Sequence, residues 1–186
     1  MTLTDIPTVR EAYGSQRPFA DRMSIWQGDI TRLQVGAIVN AANSQMLGCF
    51  VPCHRCIDNA IHSAAGLQLR NECNHIMNQR RIRFGRQYEE PTGTATLTSA
   101  YNLPCESVIH TVGPIVYGRL TDALKEDLRN CYRSVLQCCM EHKITSVAFC
   151  CISTGEFHFP NDIAAQMRWI PQSSSLHRTK TVELSA

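Results

Sequence analysis

The chain predicts a one-domain α/β sandwich. Three observations lead there. Short apolar runs suited to buried strands alternate with long segments of helical periodicity, the pattern of helices packed on a sheet. The 186 residues, 44% hydrophobic and 18% charged, are enough for a single substantial core. No internal repeat or low-complexity segment divides the chain.

Residues 1–22 scatter Pro7, Gly14 and Pro18 among weakly spaced apolar positions, so they read as a loosely docked extension with a short helical turn. Met23-Ser24-Ile25-Trp26-Gln27 reads as a strand ending at Gly28-Asp29-Ile30-Thr31, and Ala37-Ile38-Val39-Asn40-Ala41 as a buried strand. Asn43-Ser44 opens a loop. From Asp58 to about Gln79, the residues Ile61, Ala65, Leu69, Cys73 and Ile76 recur at helical steps and predict one amphipathic helix. Thr94 to Ala100 and Ser107 to Val112 are strands about the Asn102-Leu103-Pro104 turn. A helix follows from near Thr121 to Glu141, with Leu124, Leu128, Tyr132, Val135 and Cys139 inward. Ser146 to Ile152 is the most apolar strand, and another helix opens near Pro160. Met167-Arg168-Trp169-Ile170-Pro171 stops that helix, and Gln172 to Lys180 lacks apolar periodicity and reads as loop or disorder. Thr181-Val182-Glu183-Leu184 alternates and suits a short strand with no helix after it. The expected division is an extension over 1–22, a domain over 23–170 and a divergent, flexible tail over 171–186.

A net charge of +2 argues against nucleic acid as a partner, and Arg80-Arg81-Ile82-Arg83 reads as a solvated helix end. The longest apolar run, Val147 to Ile152, is far short of a membrane span, and the N-terminus has no apolar leader. Ten cysteines would suit a disulfide scaffold in a short secreted chain. Without a leader, and with adjacent pairs at Cys138-Cys139 and Cys150-Cys151, reduced thiols in a cytoplasmic or organellar interior are the expectation.

Cys49, Cys53, His54 and Cys56 stand directly before a helix start. Thiolates and an imidazole at this density suit zinc. A closed structural site draws a second ligand pair from elsewhere, and no second C-x-x-C or H-x-x-x-H is present. Three ligands, most simply Cys49, His54 and Cys56, would leave a fourth position open, as a catalytic metal requires. Cys53 is the reserve for Cys49, since Cys53 and His54 are adjacent and converge on one ion only with strain. Ordinary reduced thiols are the competing reading. His62, one turn into the helix, reads as a packing residue outside the metal set.

Gly28-Asp29-Ile30-Thr31, Ile38-Val39-Asn40-Ala41-Ala42-Asn43, Val108-Ile109-His110-Thr111-Val112-Gly113-Pro114 and Ile152-Ser153-Thr154-Gly155-Glu156-Phe157, in this order, resemble a macrodomain. With the run from Gly48 to Asn59 in place of a glycine-rich loop, the chain is similar to the zinc-containing branch of that family. The resemblance covers roughly Ile25 to Ala165. It implies a three-layer α/β/α sandwich with a mixed central sheet, an ADP-ribose pocket, a Zn2+ cofactor and removal of mono-ADP-ribose from proteins. Asp29 would accept from the adenine amino group with the Ile30 backbone beside it, and Ser153, Thr154, Gly155 and Glu156 would cradle the diphosphate. Phe157 would pack on the distal ribose. Asn43 and Asp58 would be the catalytic pair, Asn43 holding ribose hydroxyls and Asp58 orienting or deprotonating a water. Read without the family, Asp29 and Asp58 are helix or turn caps and Asn43 a turn residue.

The resemblance thus implies a zinc-dependent mono-ADP-ribosyl hydrolase acting on modified acidic side chains. Partners it suggests are mono-ADP-ribosylated protein, a sirtuin-like ADP-ribosyl transferase and a lipoyl-carrier protein. The alternative is a non-catalytic reader of ADP-ribose. Beyond Ala165 the chain departs from the family pattern, and an apparently truncated C-terminus leaves the last strand and closing helix in question. Their loss would uncover apolar sheet and part of the adenine side, and would reduce stability.

Overall fold

A computed structural model describes residues 1–51, 53–168 and 180–184. In chain order the elements are α1 (Val9–Tyr13), β1 (Met23–Trp26), β2 (Ala37–Ala42), α2 (Ile57–Ala65), α3 (Leu67–Phe84), β3 (Ala95–Ser99), β4 (Ser107–Val112), α4 (Asp122–Glu141), β5 (Ser146–Phe149), α5 (Asn161–Arg168) and β6 (Lys180–Leu184). The strands form one sheet in the order β1-β6-β5-β2-β4-β3. It is mixed, because β3 runs antiparallel to β4 while every other neighbour is parallel.

The sheet is covered on both faces. Side chains alternate along β4, so His110 and Thr111 point to opposite sides. His110 meets Cys73 of α3, whereas Thr111 lies against Cys131 of α4. The α2–α3 pair and the α4–α5 pair therefore lie on opposite faces, which is the three-layer α/β/α arrangement. Double-sided burial explains why β2 and β4 read as unbroken apolar runs rather than alternating ones. Ile38, Val39, Val108 and Ile109 are fully buried between the layers.

The single helix expected from Asp58 to Gln79 is two helices. Gly66, at φ +91° and ψ 179°, breaks it, and its N–H donates back to the His62 carbonyl at 3.2 Å. The apolar stripe runs on across the break because Ile61, Ala65, Leu69 and Cys73 all face the same core. The strand expected through Ile152 stops at Phe149, and the following residues turn away from the sheet. The last strand, in question from the sequence, is present as β6. It lies between β1 and β5, parallel to both, and so joins them into one sheet. The expected loop over Gln172 to Lys180 lies outside the described residues except for Lys180, which starts β6.

The extension over 1–22 is docked more firmly than its weak pattern suggests. Ile6 and Val9 are buried, Gln34 donates its N–H to the Met1 carbonyl at 2.8 Å, and Arg10 donates to the Ala20 carbonyl at 2.9 Å. Thr8 caps α1 in a capping box with Glu11.

Candidate active site

Strands β2 and β5 are parallel neighbours, so their C-terminal ends open on the same edge of the sheet. Open α/β sheets place ligands at such an edge. A cleft of about 450 Å³ lies there, lined by Asn43, Cys49, His54, Cys56, Asp58 and the turn from Ser153 to Phe157. Gln27, Gly28, Ala41, Arg55, Ile57, Cys150 and Cys151 also line it. From the sequence these have no site role, although Gly28, Ala41, Arg55 and Ile57 lie within its motifs, since they become cleft residues only when strand ends meet.

The loop after β2 is built on Asn43. Its Oδ1 accepts the N–H groups of Gln45 and Met46 at 3.0 and 3.1 Å, and its Nδ2 donates to the Gly48 carbonyl at 3.2 Å. Asn43 therefore performs the turn role its residue type suggests while facing the cleft. The chain then brings donor atoms of Cys49, His54 and Cys56 within 4.8 Å of one another, all half-buried. Cys53 is exposed, at φ +57°, and stands outside this group. His54 Nδ1 is 3.2 Å from Cys49 Sγ, and its Nε2 is 3.1 Å from Glu156 Oε1 on the opposite loop. Cys56 is the N-cap of α2, its Sγ accepting from the Asn59 N–H at 3.4 Å.

The two thiols differ in electrostatic setting. The Val51 backbone N–H, with help from His54, holds the Cys49 thiol below its ordinary range, while burial pushes Cys56 up. Cys49 is thus the first to reach the thiolate that binds metal. The bond to Cys49, reinforced by Glu156, raises His54 above its ordinary value.

Asp58 sits in the first turn of α2 and is only 4% exposed. Burial pushes its carboxyl above the usual range, opposed by a 2.7 Å bond from Asn40 Nδ2. The same Nδ2 lies 3.1 Å from His110 Nδ1, and His110 Nε2 lies 2.9 Å from Thr98 Oγ1. A carboxylate only accepts, so Asn40 Nδ2 must donate, and His110 must carry its proton on Nε2. A chain of polar contacts therefore crosses β2, β4 and β3 behind the catalytic candidate. His62 Nε2 stands 3.5 Å from Asp58 Oδ1, but neither ring nitrogen has hydrogen-bond geometry to a described partner. Burial lowers His62 to about 4 and His110 to about 3, so both are neutral near pH 7.

Opposite this loop, the Ser153–Phe157 turn is pinned by Phe159 N–H to the Ser153 carbonyl at 2.9 Å and His158 N–H to the Gly155 carbonyl at 3.0 Å. Val116 N–H donates to the Phe157 carbonyl at 2.9 Å and ties the turn to the loop after β4. A side chain at Gly155 would project into open space, which leaves room for a ligand to meet the backbone. Asp29 and Ile30 are not brought into the cleft. The Asp29 carboxylate caps a short turn, accepting from Thr31 N and Oγ1 at 3.0 and 2.6 Å, and the Ile30 side chain is buried in the core. Gly28, just before them, is the residue at the cleft wall.

Residues 39–168 match the family model described as Macro domain. The chain belongs to the Macro domain family. It is 55% identical over 143 residues to a protein-ADP-ribose hydrolase of Treponema medium, covering 77% of this chain and 52% of that one. A protein-ADP-ribose hydrolase of Staphylococcus aureus is 46% identical over 162 residues, covering 87% and 59%. The chain thus spans little more than half the length of these curated relatives. Among solved structures, the Oceanobacillus iheyensis macrodomain with ADP is 35% identical at a TM-score of 0.72, covering 87% of this chain and 81% of that one. A Trypanosoma brucei macrodomain in complex with ADP-ribose is 29% identical at 0.74, covering 98% and 70%. No helix among the described residues is long and apolar enough to cross a membrane.

Proposed function

We propose that this macrodomain is a zinc-dependent protein mono-ADP-ribosyl hydrolase that frees ADP-ribose from modified acidic side chains. Three features support the reading by converging on one cleft: the soft donor set Cys49, His54 and Cys56, the buried carboxylate of Asp58, and the backbone turn from Ser153 to Phe157. The relatives named protein-ADP-ribose hydrolase and the solved neighbours holding ADP-ribose or ADP support the coarser part of the reading, hydrolysis at an ADP-ribose site.

The donors fit zinc. Two sulfurs and one imidazole nitrogen are the ligand types it prefers, and three protein ligands leave a place for substrate or water. Bound there, zinc would supply Lewis acidity at the distal-ribose end of the cleft. In the proposed arrangement the N–H groups of Ser153 to Glu156 receive the diphosphate, Phe157 packs on the distal ribose, and Asn43 borders its hydroxyls. The adenine extends past Gly28 toward Asp29 and the Ile30 backbone. Asp58, held by Asn40, orients a water and takes its proton. The water oxygen bonds to the anomeric carbon, the bond from that carbon to the carboxyl oxygen breaks, and the side-chain carboxylate leaves with the electron pair. The chain's resemblance to zinc macrodomains makes a lipoyl-carrier protein modified by a sirtuin-like transferase the first substrate to try.

A second reading, a reader without turnover, is favoured by the engagement of Asn43 and Asp58 with the protein's own groups. Incubation with a protein mono-ADP-ribosylated on glutamate separates the two. Release of free ADP-ribose by the wild type, lost in Asp58→Ala with ADP-ribose binding kept, is the expected result. Binding without any release would leave the reader.

A further inference from the structure

We propose that Glu156 is a positioning residue for the metal loop, fixing the tautomer of His54 and coupling metal affinity to the state of the diphosphate turn. The inference rests on the reading of Cys49, His54 and Cys56 as zinc ligands. A neutral imidazole carries one proton, and whatever bonds one nitrogen decides what the other can do. His54 Nε2 lies 3.1 Å from Glu156 Oε1. A carboxylate this close repels a ring lone pair and attracts an N–H, so it favours the tautomer with the proton on Nε2. Nδ1, 3.2 Å from Cys49 Sγ, is left with its lone pair facing the other donors. This is the carboxylate–histidine–metal order in which the outer carboxylate orients the ring and raises its basicity.

The pair has no other evident purpose. The Glu156 side chain is 64% exposed, and an ion pair at such a surface adds little to stability. The position of its backbone, in contrast, is specific. Glu156 lies within the turn held by the Gly155, Ser153 and Phe157 carbonyls. From there its side chain crosses the cleft to a loop held on the far side by Asn59, whose Nδ2 donates to the His54 carbonyl at 2.9 Å. One residue therefore touches both halves of the site. Whatever orders the turn also places the carboxylate against His54, and by linkage a metal that fixes His54 strengthens ligand binding at the turn by the same factor.

The test measures zinc dissociation constants by competition with a chromophoric chelator for wild type, Glu156→Ala and Glu156→Gln, with and without saturating ADP. ADP presents the diphosphate without the distal ribose, so coupling through the turn is read apart from any contact between ribose and metal. Glu156→Ala is expected to weaken zinc by about 10–100-fold. Glu156→Gln, which keeps one acceptor oxygen, should recover part of that loss. ADP should tighten zinc in the wild type and do so less in Glu156→Ala. Because the side chain is exposed, the zinc-free variants are expected to melt with the zinc-free wild type. Zinc affinity in Glu156→Ala within about twofold of wild type, or no recovery in Glu156→Gln, would overturn the positioning role alone. Wild-type protein that binds no zinc at micromolar concentration would overturn the metal reading and this inference with it.

Discussion

Replacing Asn40 with alanine removes the donor that joins Asp58 to His110 at a position with no solvent access. The 2.7 Å bond to the Asp58 carboxylate is of the charged kind, whose loss costs about 1.5–3 kcal/mol. His110 Nδ1 would lose its donor as well, at about 1–3 kcal/mol. Against these stands a gain. Asn40 Oδ1 is buried without a described partner, and deleting it returns a penalty of about 1–3 kcal/mol. The net expectation is a loss of about 2 kcal/mol, a fall in Tm of about 4–8 °C for a domain of this size. Urea unfolding of the zinc-free protein measures it, and a double-mutant cycle with Asp58→Ala isolates the pair. The coupling expected is about 1–2 kcal/mol. A coupling below about 0.3 kcal/mol would refute the claim that Asn40 holds Asp58.

Other outcomes follow from the same geometry. Asp58→Asn should lower the rate of ADP-ribose release by about 10²–10⁴-fold while leaving the ADP-ribose Kd, by calorimetry, within a few-fold; equal losses in both would make Asp58 a binding residue. Folded His110 titrates at about 3 and His62 at about 4, while both titrate near 6.5 when unfolded. Between those values the unfolded chain binds more protons, so stability falls as pH drops below about 6.5, by up to about 1.4 kcal/mol per unit for each histidine. Urea unfolding at several pH values should show a shallower slope for His110→Gln than for wild type, and equal slopes would count against a neutral buried His110. A Cβ at Gly113 would lie 2.0 Å from Ser153 Oγ and 2.9 Å from Ile152 Cγ2. Gly113→Ala should therefore displace the diphosphate turn and weaken ADP binding by about tenfold or more; unchanged ADP binding would show that the turn is not the diphosphate cradle.

Much of the fold was legible because double-sided burial leaves a strong mark. The apolar runs at Ile38, Val108 and Val147 read as strands and are buried in the sheet, and Leu128 and Val135 marked the inner face of α4. The break at Gly66 was hidden, since both helices present one continuous stripe and only the glycine signals the turn. The strand β6 was harder still. A short alternating segment is a weak signal, and its partners β1 and β5 come from distant parts of the chain.

At the site, residue types disclosed the candidate ligands but not their company. The adjacency of Cys53 and His54 favoured Cys49 as the ligand, and the backbone path leaves Cys49 half-buried and Cys53 exposed. The contacts of Asp58 with Asn40, and of His54 with Glu156, depend on register and on loops facing across the cleft, which no local pattern encodes. Asp29 shows the converse. Its capping role follows from Asp-x-Thr alone, and the structure places its carboxylate in that role rather than in the cleft.

The most direct test of the central claim is ADP-ribose release from a mono-ADP-ribosylated protein, measured on zinc-loaded protein, chelator-stripped protein and stripped protein resupplied with zinc. Release that disappears on stripping and returns with zinc is the expected result. Full release from protein verified as metal-free would contradict a catalytic metal at Cys49, His54 and Cys56, and no release from zinc-loaded protein would contradict the hydrolase itself.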